Sequence, residues 1–337
     1  PAAGGGAGPL RRSGTAAQTE RIVRQTSQTK LRFCPALVKP SPGPIHHAAQ
    51  GSAMPESSES PETPVSSAAA VLEIDVHAHV AHVRLDRPDK HNALDGALMD
   101  ALVEAAATLG ATDDVWVVVL SGNGPSFCAG LDTANFASMA GGDLSADRAD
   151  VRAAYADRSP AGANRAQQVA WSWQELPQPV VAAVHGAALG GGLNLALGAD
   201  LRVVHPDAVL GFVEVTWGLI PDMSASQSLR RLVGLDRAKH LVLTGERVTG
   251  RDAPGWGLAT EVVTAPVERA LELAQVMAAH NPDALRAAKA VLNGVGDLGV
   301  ADGLALETER SAALLGGPNQ VEAVTARLEG RPPQFTT

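Results

Sequence analysis

The chain has 337 residues and a formal net charge of −9, with 36 acidic against 27 basic residues. That balance argues against a nucleic-acid partner, which would want a basic surface, and leaves room for an anionic ligand held by a local basic patch. The hydrophobic share is 45% with only 3% aromatic residues, and no apolar run reaches membrane-helix length, so a globular core of small aliphatic side chains is expected and no membrane partner.

Residues 1–70 are rich in Pro, Ser, Gly, Ala and Gln, and the run from Pro55 to Glu62 has little to bury. A disordered tail is expected there. His46 and His47 are adjacent but have no nearby Cys, Asp or Glu, so no metal site is expected. Met54 opens the acidic part of this tail, and translation is expected to start there, with residues 1–53 an over-extended start. Cys34 lies in the tail and Cys128 in the folded part. That usage fits a reducing cytoplasm and no disulfide framework. No secretory signal follows the N-terminal arginines.

From Val71 the pattern changes. Leu72–Val76 and His79–Leu85 alternate like strands, with a break near His77-Ala78. Asn92–Leu109 has helical spacing of Leu94, Leu98, Leu102 and Ala105. Val115–Leu120, Pro179–Val184 and Leu201–Val204 are short apolar runs typical of strands buried on both faces. Helices are expected near Asn164–Glu175 and Gly191–Leu197. Residues 141–160 are acidic and irregular, either a lid or a solvated insertion. After Pro221 the pattern is mostly helical to the end. Strand and helix alternate, so the class is α/β with a parallel sheet.

Two loops carry chemistry. In the first, Ser126-Phe127-Cys128-Ala129-Gly130-Leu131-Asp132 follows a buried strand. In the second, a buried strand runs through His185 and Gly186 into Gly190-Gly191-Gly192 and then a helix. Glycines let backbone N–H groups approach a ligand, and a helix N-terminus favours negative charge at the same place. Such donors can stabilise an oxyanion. The glycines could equally serve only tight helix–strand packing. The spacing fits neither a dinucleotide fingerprint nor a phosphate loop. Ser126 lies outside any G-x-S-x-G elbow, and Cys128 is expected to be a small core hydrophobe.

These loops in this order, preceded by Val83-Arg84-Leu85-Asp86-Arg87-Pro88-Asp89-Lys90-His91-Asn92-Ala93-Leu94, resemble the crotonase superfamily, the enoyl-CoA hydratase/isomerase group. Thr244-Gly245-Glu246, Ala253, Gly257-Leu258 and residues 319–331 resemble its later segments. The resemblance implies a spiral of ββα repeats over residues 71–264 holding an acyl-CoA site. It implies a helical trimerisation region over 265–337, with a homotrimer or hexamer as the assembly. No cofactor is implied, since CoA is part of the substrate. The thioester oxygen would sit between the amides of Leu131 and Gly191. The CoA moiety would lie along Lys90, Asn92, Ala93, Leu94, Ala129, Gly130, Asp132 and Gly190.

The resemblance also locates the carboxylates. One glutamate of the two-glutamate hydratases matches Glu214. The other position holds Asn194, an amide that can orient water or the acyl group but cannot exchange a proton. Asp222 stands where the dienoyl-CoA isomerase branch has an acid, and two carboxylates flanking an acyl chain can move a proton between carbons. Asp222 could instead cap the helix from Ser224. Asp132 is expected as a helix cap, and Trp171, Trp173 and Trp217 as core or pocket wall. The expected activity is an enoyl-CoA hydratase or isomerase, with dienoyl-type double-bond migration or a non-catalytic acyl-CoA-binding protein as alternatives.

Overall fold

The computed structural model describes residues 71–133, 156 and 158–337. The expected tail, the His46-His47 pair, Met54 and most of the acidic segment at 141–160 lie outside the described residues.

In chain order the strands and helices are β1 Leu72–His77, β2 Val80–Leu85, α1 Gly96–Gly110, β3 Val117–Gly122, α2 Arg165–Glu175, β4 Val180–Val184, β5 Ala187–Leu189, α3 Gly191–Gly198, β6 Leu201–Val204, β7 Val209–Gly211, α4 Ala225–Leu232, α5 Leu235–Thr244, β8 Arg247–Thr249, α6 Ala253–Trp256, β9 Glu261–Val262, α7 Pro266–Ala278, α8 Pro282–Val295, α9 Val300–Leu314 and α10 Pro318–Glu329. β1 and β2 form a hairpin whose two turn residues, Ala78 and His79, both have positive φ. A left-handed two-residue turn matches the twist of the flanking strands.

Six strands form the large sheet in the order β1-β2-β3-β4-β6-β9, with every pair after the first parallel. β3 and β4 are buried at every residue, which accounts for their unbroken apolar sequence. A second sheet, β5-β7-β8, stands beside it, and the single bridges Cys128↔Ala188 and Leu94↔Leu131 continue it. Successive turns of chain therefore add one strand to the large sheet and one short strand to the second layer. β4 leads into β5 and α3, and β6 leads into β7. This is the expected ββα spiral.

One core cluster lies between the large sheet and α1, α2 and α3, around Leu98, Leu102, Trp173, Leu193 and Leu197. The opposite face is closed by α7 through Ala270, Ala274 and Ala278 against Trp116, Val119, Val181 and Val203. Small residues on that helix let it approach the strands closely. Residues 265–278 thus complete the sheet's core, while α8, α9 and α10 form the helical end.

One expectation needs correction. The first helix starts at Gly96, not Asn92. Asp95 caps it by accepting from the Leu98 amide, and Asn92 is held in a left-handed turn with φ 54. The apolar spacing extends past the helix start because Leu94 belongs to the second layer. After Pro221 the structure is mostly helical as expected, with two short strands, β8 and β9; two or three residues are too few to display a period.

Helix α8 is fixed by a buried cation. Lys289 Nζ lies 2.8 Å from Asp200 Oδ2 and donates to the carbonyls of Trp173 and Gln178. Burial pushes the lysine pKa down and the aspartate pKa up, outweighing their mutual attraction at both ends. Removing one partner strands the other charge. Lys289→Met is expected to lower the unfolding free energy by about 3 kcal/mol in urea titrations, with Asp200→Asn added to it recovering part of the loss.

Candidate active site

The two expected loops meet. Leu94 donates from its amide to the Gly130 carbonyl and accepts from the Asp132 amide. In that ladder the intervening Leu131 N–H must face away from Leu94. Gly191 is the first residue of α3, so its N–H has no carbonyl one turn earlier to bond. The two loops are packed closely. A Cβ on Gly130 would lie 2.6 Å from the Leu189 carbonyl oxygen and 3.6 Å from the Gly191 nitrogen, and φ there is +92. A Cβ on Gly191 itself would lie 2.8 Å from both Leu94 Cδ1 and Met223 Sδ. Glycine at 130 is a requirement of this approach, because its clash is with backbone and its φ is left-handed, whereas at Gly191 the clashes are with the ends of two flexible side chains.

A cavity of about 490 Å³ opens at this junction. Ala129, Gly130, Leu131, Gly190 and Gly191 line it, together with Glu214 and Asp222. A larger cavity of about 600 Å³ around Trp171, Arg231 and Lys289 shares no lining residue with it. Chemistry, not volume, places the site.

Glu214 opens a short 3-10 turn, Glu214–Trp217, directly after β7. Its Oε1 accepts from Asn194 Nδ2 at 3.3 Å, while Oε2 is buried with no hydrogen-bond partner among the described residues. Burial pushes the pKa up to about 7, and the charge of Asp222 adds to this. Hydrogen bonds from its own backbone amide and from Asn194 oppose the rise. A carboxyl balanced near neutrality can both take and give a proton.

Asp222 faces the same cavity, and the N-cap of α4 is Ser224, with no side-chain capping bond. Asn194 is fully buried and does not line the cavity. Its amide donates to the Gly190 carbonyl at 3.0 Å and to Glu214. Through these bonds it orients the glutamate and the glycine turn.

The residues expected along CoA divide. Ala129, Gly130 and Gly190 line the cavity, and Lys90 is exposed at the end of a 3-10 turn. Asn92 is spent internally. It donates to the carbonyls of Asn123 and Ser126 and accepts from the Arg87 amide. Arg87 also bonds the Ala93 carbonyl and pairs with Asp132 at 3.1 Å. The Asn92-Ala93-Leu94 turn and Asp132 thus brace the loop of residues 126–131 from behind. Cys128 is buried, and burial pushes its thiol up to about 12, which leaves no thiolate for catalysis. Trp173 is core, whereas Trp217 is half-exposed at the cavity wall. Met99, Met223 and Arg247 also line the cavity and carried no sequence signal, since their contributions depend on how distant segments fold together.

The profile of the family described as Enoyl-CoA hydratase/isomerase matches residues 75–337. The chain belongs to that family, within the crotonase superfamily. It is 36% identical over 256 residues to the 2,3-dehydroadipyl-CoA hydratase of Escherichia coli, covering 74% of this chain and 92% of the relative. It is 35% identical over 286 residues to the enoyl-CoA isomerase/hydratase fer4 of Mycosarcoma maydis, covering 80% and 98%. The crystal structure of an enoyl-CoA hydratase from Bacillus anthracis superposes with a TM-score of 0.70 at 31% identity, covering 79% of this chain and 98% of that one. As a member of this family the protein is an enzyme, a hydratase or an isomerase of enoyl-CoA thioesters, and among the described residues no helix is long and apolar enough to cross a membrane.

Proposed function

We propose that the enzyme binds an enoyl-CoA with its thioester oxygen between the Leu131 and Gly191 amides and moves protons with Glu214. The observation that carries this is the coincidence, in one cavity, of two unspent backbone N–H directions and a carboxyl group poised near pH 7. The amides polarise the carbonyl. In hydration, water against Glu214 loses a proton to it as the C3–O bond forms. The electron pair moves through C2 onto the thioester oxygen as an enolate, and C2 then takes a proton while the carbonyl re-forms. Fixed backbone donors need no reorganisation as that negative charge grows.

Asp222 favours a second outcome of the same enolate. With two carboxylates on the cavity, one can remove a proton and the other return one at a different carbon, which moves the double bond. No cofactor enters either route; CoA is part of the substrate. Lys90 and the Ala129 backbone are proposed to meet the CoA moiety. The exposed apolar residues Leu292, Val295, Val300, Leu304 and Leu315 on and beside α8 and α9 support a trimer or pair of trimers, and the free Cys128 is compatible with the cytoplasm.

Product identification with crotonyl-CoA and a 3-enoyl-CoA tests the assignment. Turnover is expected, with Asp222→Asn lowering double-bond migration at least about tenfold more than hydration. Tight binding without turnover would replace it with an acyl-CoA-binding role.

A further inference from the structure

We infer that Arg247 is a specificity residue that receives a terminal carboxylate on the acyl chain, so that the preferred substrates are enoyl thioesters of dicarboxylic acids. The inference rests on the proposed placement of the thioester and names the substrate class of that same site.

Arg247 is the first residue of β8 and lines the cavity that holds Glu214 and Asp222. Every other residue lining that cavity, apart from these two acids, is uncharged, so Arg247 is its single cation among the described residues. The guanidinium has no ion pair and no hydrogen bond among the described residues, whereas nine other arginines there are ion-paired in at least one contact, among them Arg84, Arg87, Arg165, Arg230, Arg231 and Arg269.

The second layer fixes the direction. From Leu94 the order runs to Leu131, then across Cys128↔Ala188 to β5, then Leu189↔Gly211 and Gly211↔Arg247. Neighbouring strands lie about 4.8 Å apart, so Arg247 stands roughly 10 Å beyond Leu189, on the side away from Leu94. The CoA moiety is assigned to the Leu94 side. The cation therefore waits where the far end of an acyl chain would reach.

Gly211 supplies an independent observation. Its φ is not in the left-handed region, so the backbone does not demand glycine. A Cβ there would lie 3.3 Å from Arg247 Cγ and 3.5 Å from its Cα. The missing side chain leaves a channel that the arginine stem occupies as it crosses toward the cavity. A planar guanidinium matches a carboxylate with two parallel hydrogen bonds, and such a pair discriminates strongly against a methyl terminus.

Binding of two saturated thioesters, adipyl-CoA and hexanoyl-CoA, tests this by calorimetry without any turnover. The native enzyme is expected to bind adipyl-CoA about tenfold more tightly, and the ratio is expected to fall to about one in Arg247→Met and to survive in part in Arg247→Lys. A native ratio near one, or a ratio unchanged in Arg247→Met, would overturn the inference and leave the hydratase/isomerase assignment standing. An equal weakening of both ligands in Arg247→Met would also overturn it, because the arginine would then serve the CoA moiety they share. A retained adipyl preference that responds to Arg247→Met in a protein that turns over no enoyl-CoA would instead uphold the inference and remove the catalytic assignment.

Discussion

Glu214→Gln is expected to lower kcat on enoyl-CoA by about a thousandfold while leaving thioester binding intact. The amide keeps the shape and can still meet Asn194, but it cannot carry a proton. The same substitution should affect stability in a pH-dependent way. Burial holds the Glu214 pKa at about 7 against an ordinary 4.5, so the folded protein binds this proton more tightly than the unfolded chain does. Stability from this group is therefore highest below the unfolded value and falls as pH rises through the folded one. Above about pH 7 the native enzyme carries the full penalty of a partly desolvated carboxylate, on the order of 2 kcal/mol once the opening of the cavity to solvent is allowed for. Glu214→Gln should remove it, raising the denaturation midpoint near pH 8 and converging with the native protein toward pH 4. A substitution that cost activity but gave no gain at high pH would show that the carboxyl is solvated.

Gly192→Ala is expected to disable the site from behind. A Cβ at Gly192 would lie 2.1 Å from the Cys128 carbonyl oxygen and 2.8 Å from its carbon. Both are backbone atoms of the first oxyanion loop, and that carbonyl already accepts from the Leu189 amide. Neither can move aside, so α3 must be pushed off the loop and the Leu131 and Gly191 amides separated. A loss of about 3 kcal/mol in stability is expected, with catalysis reduced beyond what the residual folded fraction explains. Gly96→Ala is the matched control. Nothing lies within 4 Å of a Cβ there, and the residue begins α1. It should be neutral or stabilise by roughly 0.5 kcal/mol. Thermal melts and turnover of both variants side by side separate a steric clash from a general intolerance of lost glycine.

Much of the fold was legible because its sheet is parallel and covered on both faces. Val180–Val184 and Leu201–Val204 read as strands since neither face meets water, and α2 falls within the expected Asn164–Glu175, where the structure shows a capping box between Asn164 and Gln167. The two glycine-bearing loops were legible because close backbone approach needs glycines at fixed places. The contact that Asn194 makes is not legible locally. Its neighbour across the turn is Glu214, 20 residues away, and no local pattern reveals which of two nearby polar groups faces the cavity. The contacts of Asn92 with the Arg87 amide and the Ser126 carbonyl, and of Asp132 with Arg87, are hidden from the local pattern in the same way. Arg247 was invisible for a related reason. Its place on the cavity depends on a three-residue strand pairing with β7 and on the absence of a side chain at Gly211.

The most direct measurement is the infrared carbonyl band of a carbon-13-labelled enoyl-CoA bound to the Glu214→Gln protein, which holds the substrate without consuming it. Two main-chain N–H groups acting on one thioester oxygen should draw the band well below its position in water. A band at the solution frequency would mean that the amides of Leu131 and Gly191 do not share that oxygen.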